Sequence, residues 1–232
     1  MKVEVLDNAE AVAEEAAAII ATDARIATAE RGRFVMAVSG GRTPWAMLRA
    51  LAGMQVPWES VHILQADERV APAGDPDRNL TQLRESLLAH APLRPDQIHP
   101  MPVEEPDLQA AAAAYAQTLH EVAGTPVVLD LAHLGLGPDG HTASLVPDDP
   151  VLKVHDAAVA LAGPYQGRRR MTLTYPVLDH ARRVLWVVTG ADTAPMFARL
   201  RAGDRTIPAG RVRRDNAVAL VDRAAAATER FV

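Results

Sequence analysis

The chain of 232 residues contains no cysteine. Disulfide frameworks and zinc sites built from thiolates are therefore excluded, and the composition suits a reducing compartment. The sequence also lacks a basic, apolar leader and any apolar run of about 18 residues. We therefore expect neither export nor membrane spanning, and the expected location is cytoplasmic.

Positive charge is also in short supply. The 24 lysines and arginines are outnumbered by 29 aspartates and glutamates, which gives a formal net charge of −5. A nucleic-acid partner needs a basic face, so no nucleic-acid partner is expected. A small anionic ligand would have to be held by a local group of arginines or by helix amino termini.

Strand-like and helix-like segments alternate along the chain. No low-complexity linker divides it and 49% of its residues are hydrophobic, so residues 1–232 are predicted to form a single domain. The alternation predicts an α/β fold with a mostly parallel sheet flanked by helices on both faces. The predicted strands are 33–38, 61–66, 127–134, 154–161, 171–174, 184–189 and 217–220. The predicted helices are 8–29, capped by Asn8, then 44–51, 80–90, 106–122 and 191–201, with a final helical turn.

A histidine on a glycine-rich turn is the most informative local feature. His141 follows the predicted strand 127–134 and lies near its carboxyl end, where open α/β sheets bind their ligands. An imidazole can be neutral at pH 7 and accept a proton, so His141 is predicted to be a general base, with Asp139 orienting its ring. The sequence has no His-Glu-x-x-His motif or clustered ligand spacing, so no metal and no cofactor are expected.

The glycines of the same turn also match a dinucleotide-binding pattern. Gly135, Gly137 and Gly140 have the spacing Gly-x-Gly-x-x-Gly, which in that class opens a long helix and is followed by an acidic residue. Pro147 and Pro150 stop any such helix within about two turns, and no acid follows the strand-like run after them. The dinucleotide hypothesis is therefore disfavoured.

A second glycine-rich loop has the features of an anion cradle. Ser39, Gly40, Gly41, Arg42 and Thr43 lie between a predicted strand and a predicted helix. Such a loop can turn backbone N–H groups toward an anion at the helix amino terminus. The lysine of a Walker motif is missing, so hydrolysis of nucleoside triphosphates is not supported. An ordinary tight turn remains the alternative interpretation.

Charged residues mark two further places. The triplet Asp67–Arg69 ends a strand, where Arg69 can bind phosphate or carboxylate and an acid can orient a base; solvated loop charges are the alternative. In the run Arg168–Arg170, the first two arginines are interpreted as a solvated basic turn, whereas Arg170 adjoins a strand and is predicted to point inward at an anion. Loops 39–43, 67–69 and 135–141 each follow a predicted parallel strand, so they are expected to converge.

Four motifs together resemble those of the 6-phosphogluconolactonase family. They are Ser-Gly-Gly-x-Thr-Pro at 39–44, Asp-Glu-Arg at 67–69 with Asp-Pro-Asp-Arg-Asn at 75–79, Gly-Leu-Gly-Pro-Asp-Gly-His-Thr-Ala-Ser-Leu-x-Pro at 135–147, and Arg-x-Thr-Leu-Thr at 170–174. The resemblance covers nearly the whole chain. It implies a fold of the sugar-phosphate isomerase type and metal-free hydrolysis of 6-phospho-D-glucono-1,5-lactone to 6-phospho-D-gluconate, in the oxidative pentose phosphate pathway.

The resemblance also implies roles for the residues singled out above. His141 would activate water, Asp67 would orient the base or bind ring hydroxyls, and the phosphate would lie on the 39–43 loop with Arg69 and Arg170. The family usually carries a phosphate-binding lysine where this chain has Thr193. The phosphate would then depend on the remaining groups.

Two other functions stay open. The related glucosamine-6-phosphate deaminases have Asp-Glu-Tyr in place of 67–69 and follow the histidine with Ile-Ala-Phe-Asn, whereas this chain has Arg69 and the run Thr142–Leu145. Both differences favour the lactonase over an isomerase or deaminase. A non-catalytic sugar-phosphate-binding protein is favoured by Thr193 and disfavoured by Asp67 and His141. The expected partner is a small phosphorylated sugar lactone, and the expected state is a monomer or small homo-oligomer.

Overall fold

The computed structural model describes residues 1–227. The strands are β1 (Lys2–Leu6), β2 (Phe34–Val38), β3 (Val61–Gln65), β4 (Asp67–Arg69), β5 (Ile98–His99), β6 (Leu131–Leu134), β7 (Val159–Tyr165), β8 (Arg168–Leu173), β9 (Arg183–Val188) and β10 (Ala217–Asp222). The helices are α1 (Ala9–Arg31), α2 (Arg42–Ala52), α3 (Asn79–Leu83), α4 (Leu108–Ala123), α5 (Tyr175–His180), α6 (Ala194–Ala202) and α7 (Arg223–Ala226).

Seven strands form one parallel sheet in the order β1-β10-β9-β6-β2-β3-β5. Strand β2 and residues 184–188 of β9 are continuous apolar runs, as expected where both faces of a parallel sheet are covered. In β2, Phe34, Met36 and Val38 pack into one core, while Val35 and Ala37 pack into the other. The side chains alternate because successive strand residues point to opposite faces.

Helices cover both faces of this sheet. Helices α1, α2 and α3 supply the core on one face, and α4, α5 and α6 contribute to the core on the other. Asn8 caps α1, its Oδ1 accepting the Ala11 N–H at 2.9 Å. The predicted α/β fold, with a mostly parallel sheet between helical layers, is confirmed. No helix within residues 1–227 combines the length and apolarity needed to cross a bilayer.

A second, antiparallel sheet has the order β4-β8-β7. Strand β4 begins two residues after β3 ends, and its register pairs Asp67 with Thr172 and Arg69 with Arg170. Residues 67–69 were predicted to be a loop, and that prediction was wrong. The consequence is large, because the pairing sets two arginines that are 101 positions apart directly opposite each other.

Other segments also differ from the predicted ones. The predicted strand 154–161 is correct only for its last three residues, because the strand starts at Val159, and it belongs to the small sheet. Asp149 accepts the Val151 N–H at 2.8 Å and caps a short 3-10 turn, Pro150–Lys153, directly before the predicted segment. The predicted strand 127–134 is shortened to β6, since the Val128 N–H bonds back to the Ala123 carbonyl at 3.2 Å. Strand β1, the outermost strand beside β10, was not predicted.

Candidate active site

A cavity of about 230 Å³ opens at the carboxyl ends of four neighbouring strands, β9, β6, β2 and β3. Neighbouring parallel strands end on the same edge, so the loops that follow them meet there, as the sequence analysis expected. The residues lining the cavity are Ser39, Gly40, Gly41, Arg42, Thr43, Pro44, Asp67, Arg69, Asn79, Gly135, Leu136, Gly137, His141, Ala143, Arg170, Val187 and Thr189.

His141 and Asp139 form a hydrogen-bonded pair at the wall of this cavity. The carboxylate Oδ1 lies 2.5 Å from His141 Nδ1 and also accepts the His141 backbone N–H at 3.1 Å. Asp139 Oδ2 accepts the Tyr165 hydroxyl at 3.0 Å. Because Asp139 engages Nδ1, the ring nitrogen left without a protein partner among the described residues is Nε2. That arrangement suits a base that takes a proton at Nε2.

The charges around this pair favour an ionised carboxylate. Partial burial opposes ionisation of Asp139, but hydrogen bonds from His141 and Tyr165 and the attraction of the imidazole outweigh it, and the pKa of Asp139 is lowered. Burial and the neighbouring carboxylate raise the pKa of Tyr165, so its hydroxyl stays protonated and can donate. Tyr165 was not predicted as a site residue, because it precedes a Gln-Gly turn and no sequence motif marks it.

The two glycines at 135 and 137 have different physical roles. A Cβ at Gly137 would overlap the His141 ring and lie 2.8 Å from Asp139 Oδ1. A Cβ at Gly135 would meet no heavy atom within 4 Å. Gly137 is therefore needed for close packing of the His141–Asp139 pair, whereas the space at Gly135 would accept a methyl group.

Asp67 reaches the cavity as a firmly held acceptor. Its Oδ2 accepts the Ser144 hydroxyl at 2.7 Å, its Oδ1 lies 3.3 Å from Asn79 Nδ2, and its side chain is buried. The turn Thr142–Leu145 closes with hydrogen bonds of 3.3 and 2.9 Å and brings Ser144 against the carboxylate. Ala143 at the tip of this turn has φ 47°, a strained conformation for an L-residue.

Glu68 points away from the cavity and has a structural role. It is fully buried and accepts the backbone N–H groups of Arg69, Asn79 and Leu80 at 2.8 Å each, together with Gln65 Nε2 at 2.9 Å. Of the two acids in this triplet, Asp67 therefore belongs to the site and Glu68 holds the start of α3 against β4. Sequence reasoning could not tell them apart.

Two guanidinium groups face the cavity without an ionic partner. Arg170 is only 3% exposed, and within residues 1–227 neither it nor Arg69 lies within salt-bridge distance of a carboxylate. The Nε atoms of both are buried without a hydrogen-bond partner in this part of the chain. Burial and repulsion from Arg69 lower the pKa of Arg170. An anion in the cavity would relieve that repulsion, so the pair is suited to bind one.

The other arginines of the run at 168–170 lie elsewhere. Arg168 forms salt bridges with Asp75 and Asp77 at 3.0 and 3.3 Å, and Arg169 is exposed. The interpretation of both as a solvated basic turn is thus corrected for Arg168, which lies in β8 and is tied to the loop after β4. Strand alternation places Arg170 inward while its neighbour Arg169 faces solvent.

The loop 39–43 supplies the third side of the cavity. Helix α2 begins at Arg42, which is exposed, and the N–H groups of its first turn have no acceptor within the helix. Gly41 has φ 132°, and a Cβ at Gly40 would overlap the Asn79 side chain. The turn therefore requires glycine at both positions.

Two contacts hold this loop in place. Thr43 and Thr189 share a hydroxyl hydrogen bond of 2.8 Å. The Ser39 N–H donates to Nδ1 of His133 at 3.3 Å, and burial lowers the pKa of His133 to about 3, so that ring remains a neutral acceptor. Thr193 is buried, donates its hydroxyl to the Gly190 carbonyl at 2.8 Å and does not line the cavity.

The described residues contain no metal-binding cluster. Within residues 1–227, no group of three or more His, Asp or Glu side chains is arranged to hold an ion.

Comparisons with known proteins point in one direction. A family model described as glucosamine-6-phosphate isomerases/6-phosphogluconolactonase matches residues 7–221. A 6-phosphogluconolactonase of Synechocystis sp. is 39% identical over 194 residues, covering 82% of this chain and 80% of that protein. The crystal structure of a 6-phosphogluconolactonase from Thermotoga maritima superposes with a TM-score of 0.86 at 25% identity, covering 95% of this chain and 98% of that one. A monomeric glucosamine-6-phosphate deaminase shares the fold, with a TM-score of 0.85 at 19% identity over 97% of this chain and 99% of that one.

The different roles of the two glycines lead to a testable difference. We expect Gly137→Ala to displace the His141 imidazole and to lower kcat at this site about 10²-fold, because small misplacements of a reacting group carry penalties of that size. Gly135→Ala is the matched control for the position of the ring, since its methyl group meets no protein atom within 4 Å although Gly135 lines the same cavity. The checks are kcat of Gly137→Ala and, in both variants, the NMR signal of the His141 Nδ1 proton, which should change in Gly137→Ala and stay as in the parent in Gly135→Ala. Equal changes of that signal in both variants would contradict the steric account.

Proposed function

The chain belongs to the family of glucosamine-6-phosphate isomerases and 6-phosphogluconolactonases, and we propose that it hydrolyses 6-phospho-D-glucono-1,5-lactone to 6-phospho-D-gluconate. One observation carries this proposal. The cavity is lined by His141, whose Nε2 has no protein partner within residues 1–227, and by two guanidiniums, Arg69 and Arg170, that have no carboxylate partner in the same part of the chain. A base at one side and an anion site at the other match a substrate with a reactive carbonyl and a phosphate.

In the proposed reaction, Nε2 of His141 removes a proton from water as the water oxygen attacks the lactone carbonyl carbon. Asp139 keeps the ring oriented and stabilises the imidazolium that forms. The tetrahedral intermediate then expels the ring oxygen, which takes up the proton held by His141, and the product is the open-chain carboxylic acid. Backbone N–H groups of the 135–141 loop are the donors available to the oxyanion.

The phosphate is proposed to lie on Arg170, Arg69 and the first-turn N–H groups of α2, with Arg42 at the rim. These groups contact the substrate at its phosphate, which is remote from the reacting carbonyl carbon. Their main effect is therefore to position the substrate. Asp67 is proposed to accept hydrogen bonds from sugar hydroxyls. Because this chain has Thr193 where the family usually has a phosphate-binding lysine, arginines are the phosphate-binding side chains proposed for this site.

The alternative within the family is a deaminase or isomerase in which Asp67 moves a proton between adjacent carbons. Both Asp67 oxygens already have hydrogen-bond partners, Ser144 and Asn79, which favours a fixed acceptor over a mobile proton carrier. The similarity to a solved deaminase is a similarity of fold. A non-catalytic binding protein is disfavoured by the ordered His141–Asp139 pair.

We further propose a cytoplasmic location, which the absence of cysteine suits, and a monomer or small homo-oligomer.

The proposal is tested by competition between substrates. Purified protein is mixed, with chelator present, with freshly generated 6-phospho-D-glucono-1,5-lactone or with glucosamine-6-phosphate, and the loss of each compound is compared with its blank. We expect the lactone alone to disappear faster than its blank, at a rate that the chelator does not change. Faster loss of glucosamine-6-phosphate would favour the deaminase, and loss of lactonase activity on chelation with recovery in zinc or magnesium would contradict the metal-free mechanism.

Removal of the base is expected to lower kcat. His141→Ala should reduce kcat by about 10²–10⁴-fold, the usual contribution of a positioned general base, while 6-phosphogluconate still binds. The parent enzyme should lose activity as the pH falls, since the protonated imidazole cannot accept a proton. The exposed His155 gives the matched control, His155→Ala. A His141→Ala variant within about threefold of the parent in kcat would remove His141 from the mechanism.

Removal of the phosphate contact is expected to act on KM. Arg170→Ala should raise KM for the phosphorylated lactone roughly tenfold to 150-fold, the value of a charge-assisted hydrogen bond, and change kcat less. KM for unphosphorylated glucono-1,5-lactone should not change. Arg169→Ala is the control, because that neighbouring side chain is exposed. An unchanged KM in Arg170→Ala would place the phosphate elsewhere.

A further inference from the structure

Tyr165 lies between the His141–Asp139 pair and Arg170, and it does not line the cavity. It ends β7, directly before the turn formed by Gln166 and Gly167, whose φ values are 52° and 78°. This turn carries the chain back into β8, on which Arg170 lies. The β7–β8 hairpin therefore brings the tyrosine behind both His141 and Arg170.

Four contacts connect Tyr165 to the site. Its hydroxyl donates to Asp139 Oδ2 at 3.0 Å and lies 3.4 Å from His141 Nδ1. Its ring stands edge-on to the His141 ring with centroids 5.1 Å apart, and the Arg170 guanidinium carbon lies 4.9 Å from its ring centroid. A cation at that distance from an aromatic face is attracted by the ring electrons. The other partners of that guanidinium, the Tyr165 carbonyl and Gln166 Oε1, are 3.4 Å away.

We propose that Tyr165 is a positioning residue that fixes the His141–Asp139 pair and the phosphate-binding Arg170 relative to each other. Its hydroxyl acts on Asp139 and hence on the base, and its aromatic face acts on Arg170. The inference rests on the proposed function for its kinetic consequences. The contacts themselves belong to the free protein.

The two parts of the side chain predict separable effects. Without the hydroxyl, Asp139 loses a donor, more of its negative charge faces the imidazole, and protonation of the base becomes easier. Without the ring, Arg170 loses a partner that compensates for the repulsion from Arg69. The remaining charged groups at this cavity are Asp67 and Arg42, which either variant leaves in place.

The experiment compares Tyr165→Phe, Tyr165→Leu and the control Tyr175→Phe. Tyr175 is a buried tyrosine outside the cavity, and its hydroxyl donates to the Pro208 carbonyl at 2.9 Å. We expect Tyr165→Phe to lower kcat about threefold to tenfold, the value of one hydrogen bond, to move the acid limb of the pH–rate profile to higher pH, and to leave KM unchanged.

Tyr165→Leu should show the same loss in kcat and also raise KM for the phosphorylated lactone about threefold to tenfold, with no change for glucono-1,5-lactone. Tyr175→Phe should leave kcat, KM and the pH profile unchanged. An unmoved pH profile in Tyr165→Phe, or an equal rise of KM for both lactones in Tyr165→Leu, would overturn the proposal, because a side chain that merely fills space has those outcomes.

Two measurements without turnover separate this inference from the proposed reaction. NMR titration of the His141 ring in the free protein should show protonation at higher pH in Tyr165→Phe than in the parent. Calorimetry with inorganic phosphate should show weaker binding to Tyr165→Leu and unchanged binding to Tyr165→Phe. If the parent fails to hydrolyse the lactone, the reaction is wrong, and these two results still decide the role of Tyr165; unchanged values in both would refute it.

Discussion

The site depends on one buried carboxylate that is not itself part of it. Glu68 accepts three backbone N–H groups and one side-chain amide, and Arg78 Nε lies 3.5 Å from it. Through these bonds it joins the end of β3 to the start of α3. A buried carboxylate is tolerated only when such donors replace water, and removing its partners leaves an uncompensated charge that costs about 3–5 kcal/mol. Asp67 and Asn79, which do face the cavity, owe their positions to this contact.

Close packing by small residues is the second constraint on the site. Gly40 leaves room for the Asn79 side chain, and Gly137 leaves room for the His141 ring. In both places the absence of a Cβ matters because another group occupies that space. In the glycine pattern that resembles a dinucleotide-binding motif, Gly137 therefore has a different physical role here, which is to let the His141 ring and the Asp139 carboxylate pack together over a tight turn.

Positive charge is concentrated at the cavity although the chain as a whole is negatively charged. The chain has a net charge of −5, yet its cavity is lined by two arginines, the buried Arg170 and the partly buried Arg69, without carboxylate partners among the described residues. The antiparallel pairing of β4 with β8 brings them together, and the Tyr165 ring lies against one of them. Holding two cations in this way has an electrostatic cost that a bound phosphate would offset, which is how an acidic protein can select an anionic ligand.

The sequence by itself determined the features that depend on neighbouring residues. The apolar runs predicted most strands of the parallel sheet, Asn8 marked the start of α1, and the glycine-rich turns after strands predicted which loops meet. The roles of the predicted site residues remain predictions. Tertiary structure alone decided which acid of the 67–68 pair faces the cavity, that Arg170 lies opposite Arg69, and that Tyr165 lies behind His141. A local sequence pattern indicates which face of a helix or strand is apolar. Contacts between residues 24 to 101 positions apart depend instead on strand pairing and burial, and no single segment of the sequence encodes these.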